Sequence, residues 1–142
     1  MTILKAEHIS YSYRTKYQTI EAVRDVSCKF DAGKMYAVTG ESGSGKSTLL
    51  SMLAGLDLPQ SGRIYVQGKD LAAMDRDRYR REQASVVYQA FHLFPLLTAL
   101  ENVMFPLELK KVKKKAAAEQ AKELIRQVGL PEKTFRQFPQ MM

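Results

Sequence analysis

Apolar and polar residues alternate along TILKAEHISYSY (2–13) and EAVRDVSCKF (21–30), with Val26, Cys28 and Phe30 facing one way. A period of two marks half-buried strands. DAG (31–33) reads as a turn, and KMYAVTG (34–40) as a short buried strand that leads into a glycine-rich loop. From Lys46 the period lengthens. Leu49, Leu50, Leu53 and Leu56 recur at the spacing of a helix with one apolar face, and Gly55, Asp57 and Pro59 mark its frayed end. SGRIYVQGKD (61–70) predicts a strand between the turn glycines Gly62 and Gly68. DRDRYRRE (75–82) predicts a mixed-charge helix, and ASVVY (84–88) a further apolar strand. The order of these elements predicts an α/β core that carries an antiparallel β flap.

The remainder reads as helical. Thr98 and Glu101 in TALE form a capping box, in which hydroxyl and carboxylate each satisfy a backbone N–H at a helix start. Pro106 is expected to kink or end that helix, because it lacks a backbone donor and clashes one turn back. A second helix from about Lys114 places Ala117, Ala121, Leu124, Ile125 and Val128 on one face. Gly129 supplies its left-handed cap, and Pro131 blocks continuation.

Composition narrows the classes. With 45% hydrophobic and 26% charged residues the chain is of ordinary globular type, and 142 residues can bury a real core, about 70% of the unfolded surface at this size. No apolar run reaches the length of a membrane span, and MTILKAEHIS lacks the apolar centre of a signal peptide, so a cytoplasmic protein tethered only through partners is expected. Cys28, the only cysteine, reads as an inward-facing strand residue. The net charge of +7 brings nucleic acid, anionic lipid and polyanionic ligands into view. Its two clusters, DRDRYRRE and KKVKKK (110–115), read as a solvated helix and a solvated connection. Neither is interleaved with aromatics that would stack bases, so no nucleic-acid partner is expected.

The chemistry lies in GESGSGKSTLL (40–50). Gly40, Gly45, Lys46 and Ser47 fill the pattern G-x-x-x-x-G-K-[ST] at a strand-to-helix junction, the context a phosphate loop requires. Glycines let successive N–H groups, through Ser42, Gly43 and Ser44, converge on a phosphate without intervening side chains. The helix that begins near Lys46 aims its positive end at the same point. Lys46 adds a mobile charge for the β and γ phosphates, Ser47 offers its hydroxyl to Mg²⁺, and Thr48 is placed for the α phosphate. The nucleotide is not specified by the loop alone.

Together with this loop, Tyr13 upstream, GLDLPQSGRIYVQG and VVYQAFHLFPLLTALENVMFPLEL resemble the ATP-binding subunit of ABC transporters over nearly the whole chain. LFPLLTALENV and the following PL bring the resemblance nearest to the subgroup serving lipoprotein release, macrolide export and antimicrobial peptide export. The resemblance implies a P-loop NTPase core of ABC type with the antiparallel β flap, and the start of a helical subdomain with an incomplete core sheet. Residues 1–89 would form the ATP-binding part and flap, and 90–142 the glutamine-loop exit and partial helical subdomain. It implies ATP and Mg²⁺ as ligands, with Tyr13 stacking on adenine, although Tyr11 and Tyr17 are nearby alternatives. Gln89, 43 positions after Lys46 (89 minus 46), would complete the Mg²⁺ shell and sense the γ phosphate. Phe91, Leu93, Phe94 and Leu96 would receive a helix of the transmembrane permease subunits through the 90–97 region, or pack in part on the helices that follow. Full-length subunits of the family pair as homodimers on the inner face of the membrane.

The Ser-Gly-Gly signature, the apolar strand ending in Asp-Glu and the switch histidine of the family do not occur here. The catalytic Glu and switch His being missing, this chain is expected to bind ATP without hydrolysing it efficiently. It reads as a truncated part of a subunit, expected to leave strand edges uncovered and therefore to aggregate, self-pair or need further chain. Other readings are an ABC-type ATPase head of a DNA-repair or chromosome protein, and a non-catalytic nucleotide-binding module. The short capped helices after Gln89 speak against the first, which usually continues in long heptads.

Overall fold

Two long antiparallel strands, β1 (Thr2–Arg14) and β2 (Thr19–Asp31), dominate the computed structural model, which describes all 142 residues. Strands β3 (Ser61–Val66) and β4 (Lys69–Asp70) complete a four-stranded antiparallel sheet in the order β2-β1-β3-β4. This is the flap. Helices α1 (Lys46–Leu53) and α2 (Arg76–Glu82) contribute Met52, Leu53 and Tyr79 to a core with Ala6, Ile9, Val23, Ile64, Val66 and Leu71. Ile9, Met52, Ile64 and Leu71 are fully buried, and each such side chain contributes about 1.5–3 kcal/mol. The Tyr79 hydroxyl donates to the carbonyl of Leu53 at 2.9 Å, tying α2 to the end of α1.

Strict alternation fails in the middle of β1 and β2. Ala6 and Ile9 are both buried although three residues apart, as are Val23 and, in part, Val26. His8 and Asp25 absorb the extra residue with positive φ angles of 49° and 44°. Each bulge is pinned by the other strand: His8 N–H donates to Ser27 Oγ and Asp25 N–H to Ser10 Oγ, both at 2.9 Å. The bulges re-aim the strands so that both sides of the break keep one apolar face on the core.

Two expected strands are not formed. Residues 34–40 and 84–88 pair with no neighbouring strand, and Met35 and Val87 are 99% and 97% exposed. A strand exists through its ladder, and these 142 residues bring no partner strand alongside either segment. The helix expected from Lys46 forms, but its buried face is Thr48, Met52 and Leu53 with Leu49 partly packed; Leu50 is exposed and Leu56 points outward as well. The face toward the flap is covered, and the face carrying Leu50 is not. The end of α1 is ordered instead of frayed: Gly55 N–H donates to Met52 O and Leu56 N–H to Ser51 O, both at 3.0 Å, with Gly55 in the left-handed region.

The chain divides into two compact units, Met1–Val86 and Val87–Met142. In the second, α3 (Ala99–Leu109) packs on α4 (Lys114–Gln127) through Met104, Ala117 and Ala121, with Leu100, Val103, Leu107 and Val112 around them. The alanines let the helices approach closely. Pro106 does not end α3, which runs three residues further; the ring removes one backbone donor, while Lys110 N–H still reaches Pro106 O at 3.3 Å. The capping box forms as the sequence predicts, with Thr98 N–H donating to the Glu101 carboxylate at 2.8 Å and Glu101 N–H to Thr98 Oγ1 at 3.3 Å. Gly129 closes α4 with a left-handed φ of 79°.

Candidate functional site

The glycine loop leaves the extended segment 34–40 and enters α1 at Gly45, whose φ of 92° is open to glycine alone. Sterics add a second requirement. A β carbon at position 45 would stand 1.9 Å from the carbonyl oxygen of Ala22, so β2 is the floor on which the loop rests. Leu49 N–H, donating to Gly45 O at 2.9 Å, is the first amide of α1 with a backbone acceptor. The three amides before it, on Lys46, Ser47 and Thr48, are the orphan donors of a helix start.

Lys46 curls back over the loop. Its ammonium donates to Gly40 O at 2.7 Å, Glu41 O at 2.6 Å and Ser44 Oγ at 3.3 Å. A full positive charge is thereby held at the loop by neutral acceptors, beside the positive end of α1 and with no carboxylate bonded to it. Such a donor set fits a polyphosphate. Thr48 is buried, and its hydroxyl shares a 3.0 Å hydrogen bond with the Tyr13 phenol. Tyr13 is 45% exposed and stands edge-on to Tyr11, ring centroids 5.1 Å apart. Tyr17 is 95% exposed, away from these contacts.

A cleft of about 630 Å³ opens beside the loop, between Gly43, Ser44 and Lys46 on one wall and Glu21, Ala22 and Arg24 of β2 on the other. Its lining includes Gly40 and Gly45 but neither Tyr13, Ser42, Ser47 nor Thr48. Ser42 and Ser47 are exposed at the loop surface. Gln89 lies in the second unit, exposed in the bend after residues 84–88.

The family model described as ABC transporter matches residues 23–142. The chain belongs to the ABC transporter family. It is 36% identical over 137 residues to the uncharacterized ABC transporter ATP-binding protein YclH of Bacillus subtilis, covering 96% of this chain and 60% of that protein. It is 39% identical over 131 residues to the lipoprotein-releasing system ATP-binding protein LolD of Saccharophagus degradans, covering 90% of this chain and 58% of LolD. Among solved structures it resembles the ATP-binding cassette MJ0796, described as a dimeric post-hydrolysis state bound to ADP and Pi. That match has a TM-score of 0.89 and 30% identity, over 99% of this chain and 63% of that one. The chain thus spans about 60% of the length of these two relatives.

Within this ABC chain the connection after Gln89 is more ordered than its composition implies. Asn102, on the first turn of α3, donates through Nδ2 to the carbonyls of Phe94 at 3.1 Å and of Leu97 and Thr98 at 3.0 Å, and accepts from Phe94 N–H at 2.8 Å. Phe94 packs on Phe105, ring centroids 4.8 Å apart, while Phe91 and Leu96 stay 87% and 86% exposed. Asn102 drew no notice in the sequence. An asparagine competes with helical hydrogen bonding, so its presence in an apolar helix was the available sign.

No helix of the chain is long and apolar enough to cross a membrane.

Proposed function

We propose that this chain is the nucleotide-binding part of an ABC transporter subunit, which grips Mg-ATP and passes its state to membrane subunits. The observation that carries the reading is the Lys46 ammonium held across the loop by Gly40 O and Glu41 O, beside three amides at the start of α1. In this reading the amides of Lys46 and Ser47, with the Lys46 ammonium, bind the β and γ phosphates, and Thr48 meets the α phosphate through its N–H. Tyr13, oriented by its bond to Thr48, offers a ring face to adenine.

Ser47 Oγ, at the start of α1, would be the ligand this loop offers to Mg²⁺, which when bound would supply neutralising charge for the phosphates; the Gln89 amide oxygen has the donor chemistry of a further ligand. A neutral amide on an exposed bend is free to withdraw when the γ phosphate leaves, which makes Gln89 the sensor. Asn102 then gains a role: it sets the path of residues 94–98, and Leu96 within that segment and Phe91 just before it present apolar surface suited to a permease helix. As in the family, full-length subunits would pair as homodimers at the inner membrane face. The 142 residues hold no Ser-Gly-Gly and no carboxylate for the attacking water, so ATP is bound and not efficiently hydrolysed.

Titration with a fluorescent ATP analogue, with and without Mg²⁺, tests this. Lys46→Ala removes charge-assisted bonds of about 1.5–3 kcal/mol and should weaken binding by about 10- to 100-fold. Gln89→Ala should abolish the preference for ATP over ADP. Equal affinity in Lys46→Ala and the unaltered chain would refute the loop's role.

A further inference from the structure

The turn between α3 and α4 breaks two local rules at once. Lys111 adopts a left-handed φ of 60°, with its N–H donating to Glu108 O at 2.8 Å and Val112 N–H donating to Leu107 O at 3.1 Å. This is the capping position that glycine occupies at the ends of α1 and α4, in Gly55 and Gly129. A lysine there is strained where glycine is not. The second exception is the start of α4, where Lys113 is the N-cap, no side chain caps the helix, and the first turn holds no acid. Positive side chains at a helix N-terminus add to the positive end of the dipole. Beside them Leu109 is 63% exposed at the edge of the turn.

Lys110, Lys111, Lys113, Lys114 and Lys115 are all exposed, and none belongs to an ion pair. Val112 alone turns inward, onto the α3–α4 core, and so fans its neighbours out to solvent. Five ammonium groups within six residues therefore stand free of any ion pair, with Glu101 and Glu119 near enough to Lys114 and Lys115 to act only at a distance, at a position where glycine and acids would make a more stable turn. Local rules are broken in this way where a surface serves a function.

We propose that the α3–α4 turn docks on an anionic lipid bilayer, with the lysines among the headgroups and Leu109 at the acyl boundary. Juxtaposed basic residues and an exposed apolar side chain are the chemistry of an interfacial anchor. Leu109 gives nothing to an acidic polypeptide. No aromatic in 109–116 offers a stacking surface to single-stranded nucleic acid. The contact requires neither ATP nor a permease, so its test stands apart from the nucleotide titration.

Co-sedimentation of the full chain with vesicles of equal parts phosphatidylglycerol and phosphatidylcholine, against pure phosphatidylcholine, is the direct test. Binding should require the anionic lipid and weaken with salt. Each neutralised lysine should lower partition about five-fold, so a Lys110→Gln, Lys113→Gln, Lys115→Gln variant should fall about 100-fold with an unchanged circular dichroism spectrum. Lys111→Gly should raise the melting temperature while lowering vesicle binding, and Leu109→Ser should weaken binding at unchanged charge. Indifference to the anionic lipid, a triple variant that binds like the parent, or stronger retention of transfer RNA or polyglutamate than of vesicles would overturn the proposal.

Discussion

Gly45→Ala asks whether the loop works through close backbone approach. The new β carbon would stand 1.9 Å from Ala22 O, whereas real β carbons keep at least 3.0 Å, so loop and β2 must part by about 1.1 Å. The φ of 92° adds strain of about 1–3 kcal/mol for any residue with a side chain. Displacing the amides of 45–48 by an ångström takes a 2.9 Å hydrogen bond beyond the working range. Two charge-assisted bonds lost at about 1.5–3 kcal/mol each give an affinity loss of about 10²- to 10⁴-fold for Mg-ATP. Gly33→Ala is the control, because φ is 74° there but nothing lies within 4 Å of the added carbon. It should cost about 1–2 kcal/mol in urea unfolding and leave ATP affinity alone. Fluorescent-ATP titration of both variants beside urea unfolding separates the two effects. If Gly45→Ala bound ATP within about three-fold of the parent, the contact with Ala22 would not be what shapes the cradle.

Three further outcomes follow from named contacts. Asn102→Ala should cost about 2 kcal/mol and raise amide exchange at Phe94, the one loop amide it accepts from, without changing ATP affinity. Hydrogen bonds from the Thr98 N–H and hydroxyl hold the Glu101 carboxyl below its ordinary range. Its contribution is therefore complete above the unfolded-state value and lost as pH falls through the lower folded one; Thr98→Ala, which keeps the N–H and removes only the hydroxyl, should make that acid limb of the stability curve smaller without abolishing it, as read by urea unfolding across the acid range. Burial pushes the Cys28 thiol up, so its alkylation should be slower than that of free cysteine, and stability should decline as pH rises past the unfolded-state thiol value. Alkylation at the free-cysteine rate would place Cys28 at the surface.

What could be read from the residues depended on where each element finds its partners. β1, β2 and β3 were legible because their apolar faces meet α1 and α2 within the chain. Segments 34–40 and 84–88 carry the same kind of apolar content, yet without a neighbouring ladder they remain unpaired. The bulges at His8 and Asp25 passed unnoticed because polar residues in an alternating run look regular; the three-residue steps Ala6 to Ile9 and Val23 to Val26 were their trace. Side-chain periodicity placed α1 but misjudged its face, since four leucines cannot all lie on the flap side when Thr48 and Met52 take it. The glycine loop was legible as a motif at the start of α1. Its dependence on Ala22, the bond between Tyr13 and Thr48 and the anchoring by Asn102 are contacts between distant positions, which no local pattern encodes.

The central claim is that main-chain amides and one ammonium at residues 43–48 hold the phosphates of ATP. Isothermal calorimetry of the folded chain with ATP, in magnesium and in chelator, measures it directly. A saturable, magnesium-dependent heat that vanishes in Lys46→Ala is the predicted result. No heat in magnesium, or the same heat in Lys46→Ala, would contradict it.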